Sequence, residues 1–211
     1  MYSKAYYQKI NWPYQDKQLK IVALGDSLTY GYGVGRQKAW PSLVASFLGL
    51  NLINKGINGD TVLGMLSRFE KDVIKEHPDI LIITGGTNDI IFSSSLAATK
   101  LGMVSIVYQA LAHRIIPFVG LPLPVHPASI PEIWSEKIDF NMVSAKVEEY
   151  VQWLQDSSSI MGTRVIDFYH LFYEDAASTG TFFIDGLHPT EEGHKLMAAA
   201  VINKMREYEL Y

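Results

Sequence analysis

A serine stands where an apolar run of the sequence ends and a glycine-rich loop begins. The stretch IVALGDSLTYGYGVG, residues 21–35, places Gly25, Asp26 and Ser27 directly after four apolar residues. A serine at such a point can begin a turn or cap a helix, and it can also be a nucleophile. Because a serine hydroxyl is a weak nucleophile, the second role requires a base within hydrogen-bonding reach.

Histidine is the usual base because its pKa lies near neutral pH, and two histidines follow an aspartate at the same spacing. They occur in Asp167–His170 (DFYH) and in Asp185–His188 (DGLH). A carboxylate beside the imidazole can hold its tautomer and stabilise the imidazolium. Spacing alone does not separate the two pairs. We prefer Asp185 and His188, because a proline ends the loop after His188 and residues 190–192 open a helix that fixes the histidine.

Three hydrogen-bond donors are suited to the oxyanion of a tetrahedral intermediate. They are the backbone N–H groups of Ser27 and Gly59 and the side-chain amide of Asn88. Gly59 could also be a simple turn glycine, and Asn88 could cap a helix. We expect Asp89 to be that cap, and we interpret Asp26 as a structural residue that ties down its loop. Taken together, the residue types suit acyl transfer.

Five short apolar runs, separated by segments of helical period, would bring these residues together. The sequence predicts strands over residues 20–24, 50–53, 80–84, 115–121 and 163–168. Alternating strands and helices predict an α/β fold with a mainly parallel sheet, right-handed crossovers and helices on both faces. In such a sheet, ligands bind beyond the carboxyl ends of the strands. The serine, glycine, asparagine and histidine segments all follow predicted strands.

The composition excludes several other classes of function. With 211 residues, the chain is predicted to form a single domain over residues 20–211 after an N-terminal extension over residues 1–19. The net charge of −4 argues against nucleic acid as a partner, and no segment is long enough for stable membrane insertion. The absence of cysteine excludes a thiol nucleophile and a zinc-thiolate site. No secretory signal is recognised, so we expect a cytoplasmic protein, although a secreted form with its signal removed would read the same.

In their order along the chain, these segments resemble the sequence blocks of the GDSL esterases and lipases, the SGNH hydrolases. The blocks are GDSL at residues 25–28, Gly59, GTND at residues 86–89 and DGLHP at residues 185–189. The resemblance implies a three-layer, flavodoxin-like α/β/α fold with a five-stranded parallel sheet. It also implies a small acyl ester as substrate, and neither a metal nor an organic cofactor.

The resemblance further assigns roles to individual residues. It implies that Ser27 is the nucleophile, that His188 and Asp185 are the base and its orienting acid, and that Ser27, Gly59 and Asn88 form the oxyanion hole. The run GDSLTYGYGV is similar to the thioesterase I and lysophospholipase subgroup. That similarity implies acyl esters, thioesters or lysophospholipids as substrates.

Two other functions stay open at this stage. A carbohydrate acetylesterase would use the same residues in a shallow polar cleft, whereas a non-catalytic module would bind a flavin or a phosphate at the glycine loops. The proline-rich residues 121–134, with Ile90, Ile91, Phe92 and Ile184, are predicted either to line an apolar acyl pocket or to pack in the core. A pocket of that kind favours acyl esters over acetylated sugars. The sequence leaves the choice between monomer and homo-oligomer undecided.

Overall fold

The computed structural model describes residues 19–92, 95–173 and 179–208 together with Leu210. Five parallel strands form one sheet in the order β2-β1-β3-β4-β5. They are β1 (Lys20–Gly25), β2 (Asn51–Gly56), β3 (Ile80–Thr84), β4 (Ile116–Gly120) and β5 (Arg164–Ile166). Each strand overlaps one of the five predicted runs. The prediction of an extension over residues 1–19 falls, apart from Leu19, outside the described residues and stays a prediction.

The connections between the strands contain helices, as the alternating pattern predicts. In the described residues the α-helices are α1 (Ser27–Tyr30), α2 (Trp40–Leu48), α3 (Val62–Ser67), α4 (Phe69–Asp72), α5 (Thr87–Ile91), α6 (Leu96–Ala112), α7 (Glu132–Ser135), α8 (Phe140–Met161), α9 (Tyr169–Tyr173), α10 (Thr179–Phe182) and α11 (Glu191–Glu207). None of them is long and apolar enough to cross a membrane.

The helices cover both faces of the sheet, because alternate residues of each strand point to opposite sides. On one face, Val22 and Leu24 of β1 pack with helices α3, α4, α6 and α8. On the other face, Ile21 and Ala23 pack with helices α2 and α11. The predicted three-layer α/β/α fold with a five-stranded parallel sheet is therefore confirmed.

The carboxyl end of β1 lies between the ends of two other strands. Gly25 pairs with Gly56 of β2 on one side and with Thr84 of β3 on the other. The backbone N–H of Ile57 also donates to the carbonyl oxygen of Gly25, at 3.0 Å. The loops that carry Ser27, Gly59 and Asn88 therefore start side by side, at the point where the strand order reverses and ligands bind in such sheets.

Candidate active site

Ser27 is the first residue of α1, at the tight turn that follows β1. Asp26 caps this short helix, since its Oδ1 accepts a hydrogen bond of 2.9 Å from the backbone N–H of Leu28. The turn needs glycine at position 25, where a Cβ would lie 2.2 Å from Oγ1 of Thr29. Ser27 is 7% exposed. Asp26 therefore has the structural contact that the sequence analysis expected, and Ser27 lies at the surface end of a rigid turn.

His188 connects Ser27 to Asp185 through both nitrogens of its ring. Its Nε2 lies 3.0 Å from Oγ of Ser27, and its Nδ1 lies 2.8 Å from Oδ2 of Asp185. The other carboxylate oxygen of Asp185 accepts from the backbone N–H groups of Leu187 and His188, at 3.0 and 2.9 Å. Because a carboxylate only accepts, Nδ1 carries the proton and Nε2 is free to accept from the serine hydroxyl.

The segment that carries His188 is held on both sides. After it, α11 begins at Glu191, and Thr190 caps the helix by accepting from the backbone N–H of Gly193 at 3.3 Å. Before it, Gly186 has a φ of +78°, and its carbonyl oxygen accepts from the backbone N–H of His126 at 2.9 Å. The predicted helix directly after the histidine is confirmed, and the loop cannot shift without breaking these contacts.

The second Asp-x-x-His pair forms the same local contact but lies on the surface. Nδ1 of His170 lies 2.8 Å from Oδ2 of Asp167, the distance that also separates His188 from Asp185. The side chains of His170 and Asp167 are 47% and 43% exposed, compared with 14% and 11% for His188 and Asp185. Within the described residues, only the buried pair has a serine hydroxyl at the other ring nitrogen.

The three predicted oxyanion donors lie in neighbouring loops. Gly59 has a φ of +75°, and the position of a Cβ on it would face open space. Neither Ser27 nor Gly59 uses its backbone N–H in a hydrogen bond within the described part of the chain. The Asn88 amide donates once, to the carbonyl oxygen of Asp60 at 3.0 Å, and an amide nitrogen carries two N–H bonds. Each of the three groups therefore retains an N–H for a ligand.

Asp89 does not cap its own helix, so that expectation is wrong. Helix α5 begins after Gly86, whose φ is +118°, and Asp89 lies in its first turn. Its Oδ2 instead accepts from the backbone N–H of Val62, at 2.9 Å, at the start of α3. The first N–H groups of any helix lack partners within it, and this carboxylate provides a partner for the first N–H of α3. The contact ties the loop after β2 to α5, which carries Asn88.

A cleft opens beside Ser27, with a volume of about 380 Å³ that includes its open mouth. Its polar walls come from Asp26, Ser27, Thr87, Asn88 and His188, and its apolar walls from Leu28, Ile91, Leu123, Pro124, Val125 and Leu187. Part of the apolar lining predicted for a pocket is therefore found here, and its role as an acyl pocket stays a prediction. Ile91 and the proline-rich loop line the cleft, whereas Ile90 is 3% exposed and belongs to the core.

The other two residues predicted for this pocket do not line the cleft. Phe92 is 63% exposed and Ile184 is 48% exposed. Consecutive helical residues point about 100° apart, which is why Ile90 and Ile91 of α5 have different environments. The loop also contains more regular structure than its four prolines indicated. A 3-10 turn spans Pro127–Ser129 and α7 follows it, since proline suits the first turn of a helix.

Tyr32 contacts the site, and the sequence analysis did not identify it. Its ring centroid lies 4.3 Å from that of His188, with an angle of 41° between the planes. The backbone N–H of Tyr32 donates to the carbonyl oxygen of Ser27 at 3.1 Å. The spacing of glycines around it was the available signal, because Gly31, Gly33 and Gly35 all have positive φ values. These conformations turn the loop back over the histidine.

Buried carboxylates surround the back of the site. Burial, together with the charges of Asp60 and Asp89, raises the pKa of Asp26 to about 7. Burial likewise raises the pKa of Asp89. No group of three or more side chains suited to binding a metal ion occurs among the described residues.

Comparison with known proteins finds two esterases to which this chain is similar. An arylesterase from Vibrio mimicus is 31% identical over 111 residues, which is 49% of this chain and 56% of that protein, so the alignment spans little more than half of the relative. An acetylxylan esterase from Geobacillus stearothermophilus is 24% identical over 160 residues, 75% of this chain and 73% of that protein.

A solved structure and a family model extend the comparison to most of the chain. A protein from Desulfitobacterium hafniense DCB-2, described as lipolytic and of the G-D-S-L family, matches with a TM-score of 0.75 and 28% identity, covering 88% of this chain and 99% of that one. The model of the GDSL-like lipase/acylhydrolase family matches residues 23–196. The chain belongs to the GDSL-like lipase/acylhydrolase family, a family of carboxylic ester hydrolases.

Proposed function

We propose that this protein hydrolyses carboxylic esters, with Ser27 as the nucleophile and His188 and Asp185 as its base and orienting acid. The observation that carries the proposal is the continuous hydrogen-bonded path from Ser27 Oγ through the His188 ring to Asp185, with steps of 3.0 and 2.8 Å. Ester hydrolysis by a serine nucleophile requires a base and a group that orients the base, each within hydrogen-bonding distance of the next.

The reaction follows from this geometry. Nε2 of His188 takes the hydroxyl proton as Ser27 attacks the ester carbonyl carbon, and Asp185 stabilises the imidazolium that results. His188 then donates the proton to the leaving oxygen, which departs as an alcohol and leaves an acyl-enzyme. A water molecule, deprotonated by the same nitrogen, attacks the acyl-enzyme and releases the carboxylic acid. Ser27 regains its proton from His188.

In this mechanism the oxyanion is stabilised by the N–H groups of Ser27 and Gly59 and by the amide of Asn88. Support comes from their unused N–H bonds and from the rigid loops that hold them. Donors fixed in advance at the place where charge develops contribute to the rate, and removing one such donor typically lowers kcat by about 10²–10³.

The shape of the cleft bears on the substrate. We propose that the acyl group lies against Ile91, Leu123 and Val125, which belong to the apolar wall of the cleft. The leaving group then lies on the side of His188, where the ring of Tyr32 offers an aromatic surface. Esters of acyl chains that fit the cleft are the first choice of substrate. Thioesters and lysophospholipids, which the similarity to the thioesterase I subgroup implies, are the finer part of this proposal.

A carbohydrate acetylesterase is the second candidate. The alignment with the acetylxylan esterase favours it, because that alignment covers about three quarters of both chains. The acetyl group is the smallest acyl group, and five polar residues line the cleft. The same nucleophile, base and oxyanion donors would serve this substrate.

The test is hydrolysis of a series of p-nitrophenyl esters from acetyl to palmitoyl, with wild type, Ser27→Ala and the control His170→Ala. We expect Ser27→Ala to lose activity by about 10⁴-fold or more, while His170→Ala stays near wild type. A maximum beyond acetyl supports the acyl esterase, and activity confined to acetyl moves the assignment to the carbohydrate acetylesterase. If wild type hydrolyses no ester and does not react with serine-directed phosphonates, the proposal is wrong and a ligand-binding module becomes the better interpretation.

A further inference from the structure

Arg68 lies behind the site, at the junction between α3 and α4, with a side chain that is 13% exposed. Its Nε donates to Oδ2 of Asp60 at 2.8 Å, and its Nη1 donates to Oδ2 of Asp72 at 2.9 Å. Its Nη2 donates to the carbonyl oxygen of Gly25 at 3.1 Å. A planar guanidinium group can satisfy several acceptors in fixed directions at once, which a lysine ammonium group cannot.

Two of these contacts lead directly to the proposed oxyanion donors. Gly25 stands two residues before Ser27, and Asp60 follows Gly59 in the chain. The backbone carbonyl oxygen of Asp60 accepts the hydrogen bond from the Asn88 amide, at 3.0 Å. One side chain therefore links the segments that carry all three donors, although it does not line the cleft itself.

The charge of Arg68 also matters at this position. Asp60 has a side chain that is 11% exposed, and its carboxylate would carry an unopposed negative charge next to the Gly59 loop if Arg68 were absent. An oxyanion that develops nearby is destabilised by a negative charge and stabilised when that charge is paired. The position of Arg68 therefore suits both the geometry and the electrostatics of the oxyanion site.

We propose that Arg68 is a positioning residue for the oxyanion hole, which it holds through Gly25 and Asp60. This inference rests on the proposed function, because it presupposes that an oxyanion forms at Ser27. Loss of the Arg68 guanidinium group displaces the donors relative to the tetrahedral intermediate, and a misplacement of about 1 Å lowers a rate by about 10². Substrate binding in the ground state changes little, since Gly25, Asp60 and Arg68 do not line the cleft.

A purely structural role for Arg68 makes a different prediction. In that case the side chain only joins α3 to α4 through Asp72, and its removal lowers stability without changing the rate of correctly folded molecules. Asp72→Asn is the matched control. It weakens the contact between the same guanidinium group and Asp72, and this contact does not lead to the oxyanion donors. We expect this control to lower the melting temperature and to leave kcat within about twofold of wild type.

The experiment measures kcat and KM for Arg68→Lys, Arg68→Ala and Asp72→Asn, with the active serine of each preparation counted by complete reaction with a fluorophosphonate. Arg68→Lys keeps the charge and serves if the alanine variant does not fold. We expect kcat per active serine to fall about 10²-fold in Arg68→Ala and by less in Arg68→Lys, which keeps the charge but not the geometry, with KM within about threefold in both. Affinity for a boronic acid, which forms a tetrahedral adduct with the serine, should fall in parallel.

Added guanidinium ion supplies a further readout. It should restore part of kcat to Arg68→Ala, where it can occupy the vacated position, and not to Arg68→Lys. Unchanged kcat per active serine in the Arg68 variants, with normal wild-type activity, overturns this inference and leaves the proposed function standing. A wild type that neither hydrolyses esters nor reacts with the fluorophosphonate overturns both.

Discussion

His194 is a histidine that the fold keeps uncharged, and this has a measurable consequence. It lies in the first turns of α11 and is 0% exposed. Its Nδ1 accepts a hydrogen bond of 3.3 Å from the backbone N–H of Trp40, at the start of α2. In a protonated His194 the new N–H of Nδ1 would face the N–H of Trp40, and the positive charge of the ring would be buried. Burial, with a smaller effect of the neighbouring His188, lowers the pKa of His194 from 6.5 to about 4.

The lowered pKa makes stability depend on pH. Between about pH 4 and pH 6.5 the unfolded chain binds a proton at this histidine that the folded protein does not bind. The free energy of unfolding therefore falls as the pH falls through this window. The difference between a pKa of 6.5 and one of about 4 corresponds to about 3 kcal/mol of stability, most of which is lost by about pH 4.5.

The assay is urea unfolding of wild type and His194→Asn at about pH 7.5 and about pH 4.5. Asparagine does not titrate, and its Oδ1 can accept from the Trp40 N–H in place of Nδ1. At pH 7.5 the variant should be less stable because its smaller side chain leaves a cavity. Towards pH 4.5 the wild type should lose about 2–3 kcal/mol more than the variant does. If the two proteins lose stability in parallel, His194 does not titrate as its burial requires.

Three further predictions concern the active site. Asp185→Asn should lower kcat about 10⁴-fold, because the imidazole loses its tautomer and its counter-charge, while Asp167→Asn leaves ester hydrolysis unchanged; steady-state kinetics compare the two. Asn88→Ala should lower kcat about 10²–10³-fold with little change in KM, and an equal rise in KM alone would contradict an oxyanion role. Asp26→Asn should remove a destabilisation that grows with pH, because the pKa of Asp26 is raised to about 7; the stability of the variant relative to wild type, from urea unfolding, should rise by about 2–3 kcal/mol between about pH 5 and about pH 8, and a constant difference would contradict it.

The sheet could be predicted from the sequence because its strands are buried on both faces. A buried strand is a continuous apolar run, and the runs over residues 20–24 and 80–84 coincide with β1 and β3 to within one residue. Boundaries were less accurate for the outer strand β2, which is only partly buried. There the apolar pattern ends at residue 53, although the hydrogen-bonded ladder continues to Gly56.

Local spacing predicted the Asp–His contacts but could not choose between them. Both Asp-x-x-His segments form the same bond, from Nδ1 to a carboxylate oxygen at 2.8 Å. What separates them is the place to which the fold carries each segment, since only His188 lies beside Ser27. The proline and the helix that follow His188 hold its loop near the end of β1, beside Ser27, and the role of His188 as the base stays a prediction.

Contacts between residues that are distant in the chain could not be predicted from the sequence. Tyr32 reaches His188, Arg68 reaches Gly25, and Asp89 reaches Val62. Each pair is separated by 27 residues or more along the chain, and no periodicity or local motif specifies which partner a side chain will meet. These contacts hold in place the histidine and the loops of the three proposed oxyanion donors, so the support of the site is visible only in three dimensions.

The most direct test of the account is to locate the residue that attacks an electrophile. Wild-type protein is treated with a fluorophosphonate, and the adduct is assigned by peptide mass spectrometry, with Ser27→Ala and His188→Ala alongside. The account predicts one adduct, on Ser27, that is absent in Ser27→Ala and forms far more slowly in His188→Ala. An adduct on another residue, or wild type that stays unlabelled while hydrolysing esters, would contradict it.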